Sequence, residues 1–207
     1  MNLKHLIDEV NGLMKMNYHD RAIRRLFDVM DVISEEYGEK SVPMGVAHGV
    51  AGSIYISNND PSLAEQQLRK AVNILEPLVN PEDDSYVAAA YHNLGVVYFK
   101  MSEYDDAERE YLHALQLKKL QKDGDVISRA ITLNNLGTTY LRKSEYDVAE
   151  YVFTQALEIF EKKEDYLRAQ DVYLNLASLT NKRGQTSRAM LFYENYRKCR
   201  QRHEASH

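Results

Sequence analysis

Apolar residues recur three and four positions apart along most of this chain, in runs separated by short polar breaks. That spacing lays them along one face of a helix, and the breaks read as turns. The stretch "HNLGVVYFKMSEYDDAE", His92 to Glu108, closes one helix, turns and opens another. "NNLGTTYLRKSEYDVAE", Asn134 to Glu150, does the same again. No proline falls between Glu82 and His207, as a chain of helices joined by tight turns requires. The pattern predicts an all-α protein built of helical hairpins.

The hairpins repeat. Aligned on Gly95 and Gly137, at an offset of 42, Leu94, Tyr98, Tyr104, Ala107, Tyr111 and Ala114 match Leu136, Tyr140, Tyr146, Ala149, Phe153 and Ala156. A third copy, at an offset of 40, puts Leu176 and Ala177 on the leucine–glycine pair and Ala189 and Tyr193 on the alanine and aromatic. There Tyr196 replaces the second alanine. A weaker copy precedes them at an offset of 43, with Gly52, Tyr55, Ala64, Leu68 and Ala71 in register. Its turn carries Pro61 and is expected to differ from the others. The chain start holds one more, with Ala22, Leu26 and Val29 in place and Val10 where the glycine should be. Five units follow, with approximate bounds 1–40, 41–83, 84–126, 127–167 and 168–203, in one domain over 1–207.

Small residues mark the places where two helices come close. Gly95, Gly137 and Ala177 leave room on first helices; Ala107, Ala149 and Ala189 leave it on second helices. Tyr98 and Tyr140 lie three positions past the glycine and fill the wedge between helices. Tyr111 and Phe153 lie four past the alanines and pack the same seam.

These residues resemble the tetratricopeptide repeat, whose pattern is a bulky residue, Leu-Gly, Tyr, then Ala, an aromatic and Ala at fixed spacing. "YHNLGVVY" with "AEREYLHA" fits at every position, as does "LNNLGTTY" with "AEYVFTQA". "YLNLASLT" departs at Ala177 and Thr180. The usual unit has about 34 residues; here the spacing is 40 to 43, so helices and connections are extended. Long units of this kind are similar to those of kinesin light chains and bacterial peptide-sensing regulators. The resemblance implies a right-handed superhelical solenoid whose first helices line a groove that binds a protein or an extended peptide.

Groove positions of the family, carried onto this chain, imply a contact set. It comprises Asn11 and Lys15 in the first unit, Ser53 in the second, and His92, Val96, Phe99 and Lys100 in the third. Asn134, Thr138 and Arg142 follow in the fourth, and Ser178, Asn181 and Lys182 in the fifth. Lys15, Lys100, Arg142 and Lys182 share one repeat position, which only Ser57 interrupts. Such a row could pair with acidic groups of a partner, carboxylate or phosphate. The competing reading is that a cation in the last turn of a helix favours its dipole. Asn93, Asn135 and Asn175 also recur in register. Asparagine is a poor helix former, so the row calls for hydrogen bonds between adjacent repeats. Asn134 beside it suits a peptide backbone, because an amide both donates and accepts. Tyr18, Tyr151, Tyr166 and Tyr173 are less well accounted for by the repeat and are expected at amphipathic or binding surface.

Chemistry is absent from the pattern. No His-Glu-x-x-His spacing occurs among the seven histidines, and no phosphate loop accompanies the repeat. Cys199, the only cysteine, takes a core position and is expected to be a buried thiol. No catalytic residue, metal or cofactor is expected. A net charge of −5 argues against nucleic acid as a partner. The lone cysteine, the lack of a long apolar run and the charged N-terminal stretch point to a cytoplasmic chain without membrane contact. The expected function is a non-catalytic binding scaffold. The alternatives are self-association through the terminal repeats and contact-based regulation of a partner enzyme.

Overall fold

The computed structural model describes residues 3–78, 80, 85–120 and 126–205, the side chains of 3–7, 11, 120 and 205 excepted. The described residues form ten α-helices and no strand. They are α1 (Leu3–Lys15), α2 (His19–Tyr37), α3 (Val42–Ser57), α4 (Pro61–Leu75), α5 (Ser85–Lys100), α6 (Tyr104–Leu120), α7 (Val126–Arg142), α8 (Tyr146–Lys162), α9 (Tyr166–Lys182) and α10 (Thr186–Ala205). Consecutive helices pair into five hairpins. Packing divides the chain into two compact units, Met1–Gly124 with three hairpins and Asp125–His207 with two.

One turn closes every hairpin. Asn17, Asn59, Ser102, Ser144 and Gly184 take left-handed backbone, with φ of 59°, 59°, 64°, 63° and 72°. The next residue's N–H reaches back five positions: Tyr18 to Leu13 O, Asp60 to Tyr55 O, Glu103 to Tyr98 O, Glu145 to Tyr140 O and Gln185 to Thr180 O, all within 2.9–3.0 Å. This closes the helix C-terminus by satisfying a carbonyl that would otherwise be orphaned. The turn before Pro61 therefore does not differ from the rest, contrary to the sequence expectation. Pro61 occupies the first helical position of α4, where no N–H is needed and its fixed φ suits the helix.

The glycines sit at tight contacts. A Cβ placed on Gly95 would stand 2.6 Å from ring carbons of Tyr111, and one on Gly137 would stand 2.7 Å from those of Phe153. In the second hairpin the same role falls to Gly52 against Leu68, and Gly45 adds a contact with Leu75. Tyr111 and Phe153 are fully buried, and Tyr98 and Tyr140 are buried beside them. Val10, in the first hairpin, lies in the core with Ala22, Leu26 and Val29.

Within the first unit, α2 packs on α3, and α5 packs on both α3 and α4. Polar bonds cross the seam of α4 and α5. The Tyr98 hydroxyl donates to Glu65 Oε1 at 2.7 Å and accepts from Arg69. The Tyr91 hydroxyl donates to Glu76 Oε1 at 3.0 Å. Burial first, then the Glu76 bond, pushes the Tyr91 phenol up to about 12. Asn93 Nδ2 donates to Ser53 Oγ at 3.0 Å, joining α5 to α3. Inside the second hairpin, buried His48 places Nδ1 2.7 Å from Gln67 Oε1.

Within the second unit, α9 packs on α7 and α8. Asn175 Nδ2 donates to Asn134 Oδ1 at 3.0 Å. Asn93 and Asn175 thus bond between repeats as the recurring row requires. Tyr173 is a correction: it is buried, not surface, and its hydroxyl donates to Glu161 Oε1 at 2.5 Å. It stands at the bulky position of its repeat, as Tyr91 does, and reaches the last turn of the preceding hairpin. Arg183 pairs with Asp147 at 2.8 Å and Glu150 at 3.3 Å, tying the α9–α10 turn to the start of α8. Cys199 is buried, and that burial pushes its thiol up.

Candidate functional site

The first helices carry the candidate residues, one unit at a time. In the first unit, α3 and α5 lie side by side. A narrow, largely apolar cleft of about 150 Å³ lies between them, with the small residues Gly45, Gly49, Ala89 and Ala90 in its lining. Gly49 and Ser53 form one wall; Tyr86, Ala89 and Asn93 form the other. Ser53 is half-buried, with Oγ donating to Gly49 O at 3.2 Å and accepting from Asn93. Tyr86 and Ala89 were not foreseen, because both lie before the motif begins.

Farther along α5, His92, Val96 and Phe99 are half-buried and Lys100 is exposed. The His92 ring lies 5.7 Å from that of Tyr111, tilted by 57°. Burial, with a lesser contribution from Lys118, pushes the imidazole down to about 4. His92 is therefore neutral near pH 7 and can offer a hydrogen bond but not a charge. Phe99 leans on Tyr104 across the turn, with centroids 5.7 Å apart. Lys100 Nζ donates to Asn59 Oδ1 at 3.3 Å. On α1, Lys15 is exposed at the last residue. The Asn11 side chain lies outside the described residues.

In the second unit, Asn134, Thr138 and Ser178 are half-buried, and Arg142, Asn181 and Lys182 are exposed. Asn134 spends its carbonyl oxygen on Asn175, so its own amide N–H groups are what it can direct at a ligand. Thr138 Oγ1 returns to Asn134 O at 3.0 Å. Arg142 and Lys182 fall in the last turns of α7 and α9.

The four basic residues that end α1, α5, α7 and α9 share a property. None forms an ion pair with a carboxylate among the described residues, whereas Arg25, Arg69, Arg109, Arg168, Arg183 and Arg188 all do. No group of three or more His, Cys, Asp or Glu side chains among the described residues could hold a metal ion. None of the described helices is long and apolar enough to cross a membrane.

Comparison with known proteins bears on the fold. Residues 86–162 match the tetratricopeptide repeat model. No curated protein matches the chain. Among solved structures, BtubC (BKLC) from P. vanneervenii is similar at a TM-score of 0.85 and 18% identity, over 99% of this chain and 82% of that one. A protein of Podosopora anserina described as a kinesin light chain with nearly identical repeats is similar at 0.79 and 16%, over 98% and 96% of the two chains. A Rap protein solved with competence and sporulation factor is similar at 0.77 and 15%, over 95% of this chain and 53% of that one. At such identities the likeness speaks for the fold, and it extends over nearly the whole chain. Residues 86–162 carry the tetratricopeptide repeat motif, and the five hairpins closed by the same turn give the described residues a tetratricopeptide-like repeat fold.

Proposed function

We propose that the chain is a non-catalytic scaffold that holds a protein segment or extended peptide against its first helices. Repeat folds of this class generally serve as binding surfaces. One observation carries the reading further: among the described residues, the exposed cations at the ends of α1, α5, α7 and α9 have no carboxylate partner, whereas Arg25, Arg69, Arg109, Arg168, Arg183 and Arg188 do. Lys100 and Arg142 are the strongest members, each beside half-buried polar or aromatic contacts on its own helix. The set offered for contact is Asn11, Lys15, Ser53, His92, Val96, Phe99, Lys100, Asn134, Thr138, Arg142, Ser178, Asn181 and Lys182. The favoured partner carries acidic groups, and the amides of Asn134 and Asn181 suit a peptide backbone. The Rap protein solved with competence and sporulation factor is a case of this fold with a partner in place.

The test is selection of binders from a random peptide library, followed by affinity measurement with Lys100→Glu and Arg142→Glu, singly and together. Acidic peptides should be enriched, and the double reversal should weaken binding at least about tenfold, two charge contacts of ordinary strength. Helicity by circular dichroism should stay unchanged. Equal affinity in the double variant would remove the basic residues from the site.

A second reading, self-association, has its own observation. Helix α10 leaves Met190, Leu191 and Tyr193 exposed. Sedimentation over a wide concentration range decides it: constant monomer mass sinks it.

A further inference from the structure

The geometry points to a second site, a phosphate-monoester pocket at the α1–α2 turn. A cavity of about 360 Å³ opens there, walled by Tyr18, His19, Asp20, Arg21, Arg24 and Asn58 at the end of α3. None of these residues belongs to the contact set on the first helices, so the two proposals stand or fall separately.

Two side-chain observations carry it. Arg21 and Arg24 lie three apart on α2, both exposed, and neither is paired with a carboxylate. Arg21 stacks over the Tyr18 ring, 5.5 Å from its centroid. Arg24 spends only Nε, on the backbone oxygen of Asp20 at 3.2 Å. The terminal nitrogens of both guanidinium groups keep their donors, and a planar fork matches the oxygens of a phosphate. The other observation is His19. Its Nδ1 is buried and has no hydrogen-bond partner, the only such side-chain atom among the described residues. A buried polar atom left without a partner is costly, so its presence beside two unspent guanidinium groups needs an account. The His19 ring lines the cavity, so an anion bound there supplies one once the ring turns Nδ1–H toward it.

Ser41, Asp60 and Asp165 cap α3, α4 and α9, whereas α2, like α8, has no side-chain cap, so no side chain competes with a ligand there. Charge selects the ligand. Two guanidinium groups against the Asp20 carboxylate leave one net positive charge in the wall. A phosphate monoester carries nearly two negative charges and three acceptor oxygens, enough to engage both forks and the Asn58 amide. A carboxylate has one charge and two oxygens and must leave one fork unmet. Asp20 opposes either anion, so affinity is modest.

The experiment is an NMR titration of the full-length, nitrogen-15-labelled chain at constant ionic strength. The probes are inorganic phosphate, phenyl phosphate, a phosphoserine pentapeptide and benzoate. Saturable shifts confined to residues 17–24 and 58 are expected with the phosphate probes, with benzoate at least about tenfold weaker. The Arg21→Ala/Arg24→Ala variant should lose the response. Asp20→Asn should tighten binding several-fold, a gain that a misfolded variant could not show, and Arg129→Ala should change nothing. Binding of inorganic phosphate and not the phosphopeptide assigns a free ligand; the reverse assigns a modified partner; either upholds the site. Shifts that never saturate, persist in the double-arginine variant, or appear equally with benzoate overturn it.

Discussion

The third and fifth hairpins follow one template and differ at its centre. In α5–α6, Gly95 admits the Tyr111 ring, which is 1% exposed. In α9–α10, Ala177 stands at the glycine position, and the matching ring, Tyr193, is 44% exposed. One added methyl accompanies an aromatic that lies outside. Where Tyr98 fills the wedge in the third hairpin, Thr180 stands in the fifth, buried, with its hydroxyl returned to Leu176 O at 2.8 Å. A threonine cannot occupy a tyrosine's volume, yet it leaves no unpaired polar atom. The second helices differ in step. Phe153, Leu157 and Phe160 of α8 are buried, and Tyr193, Arg197 and Arg200 hold the same positions in α10, exposed. That face carries the i,i+4 pairs Lys198–Glu194 and Arg200–Glu204. The glycine–aromatic contact is therefore a lock used in the middle repeats and absent from the last.

The hardest way to break this contrast is to remove the rings. Phe153→Ala should cost about 3–5 kcal/mol, the usual range for emptying a core aromatic site. Tyr193→Ala should cost less than about 1 kcal/mol, as exposed positions do. Urea denaturation of both variants checks it, and equal losses would abolish the distinction.

Acid probes the same lock. His92 lies against Tyr111, and Leu174 holds its place in the fifth hairpin. With the imidazole pushed down to about 4 from its ordinary 6.5, the unfolded chain takes up the proton first. His92 thus contributes stability that is present above about pH 6.5 and lost as pH falls towards 4, up to about 3 kcal/mol in all. His48, also lowered by burial, acts in the same sense. His92→Leu should flatten the stability–pH curve over that window; an unchanged curve would mean the ring is not desolvated.

Gly137→Ala should cost about 1–3 kcal/mol through overpacking against Phe153, while Ala177→Gly should cost about 1 kcal/mol through helix propensity alone. Thermal melts separate the two. The smallest effect is a gain. Ser144 holds left-handed backbone that glycine adopts freely, so Ser144→Gly should stabilise by about 0.5 kcal/mol once glycine's added chain entropy is set against the relieved strain. A lower melting temperature would contradict the turn geometry.

The lock could be read from the amino acids because glycine and the aromatic recur at a fixed spacing, and only close packing demands glycine inside a helix. The recurring asparagines were legible for the same reason: a residue at odds with its local structure must have a partner. The tyrosine–carboxylate bonds were not. Tyr98 finds Glu65 and Tyr173 finds Glu161 through stacking of one hairpin on the next, and neither carboxylate is marked in its own repeat. The turn at Pro61 misled because proline signals a break, while its place at a helix start made it compatible with the common turn. On the candidate face, the basic residues stood out by register. The cleft beside Tyr86 arises from how closely α3 and α5 approach, which no spacing encodes.

The phenols that join hairpins also report on them. Tyr91, Tyr98 and Tyr173 are all raised by burial and by a glutamate at the hydroxyl, so in an alkaline ultraviolet titration they should ionise late. Any ligand or substitution that pries adjacent hairpins apart would advance them into the main wave. The protein thus carries, in its own absorbance, a gauge of how tightly its repeats are clasped.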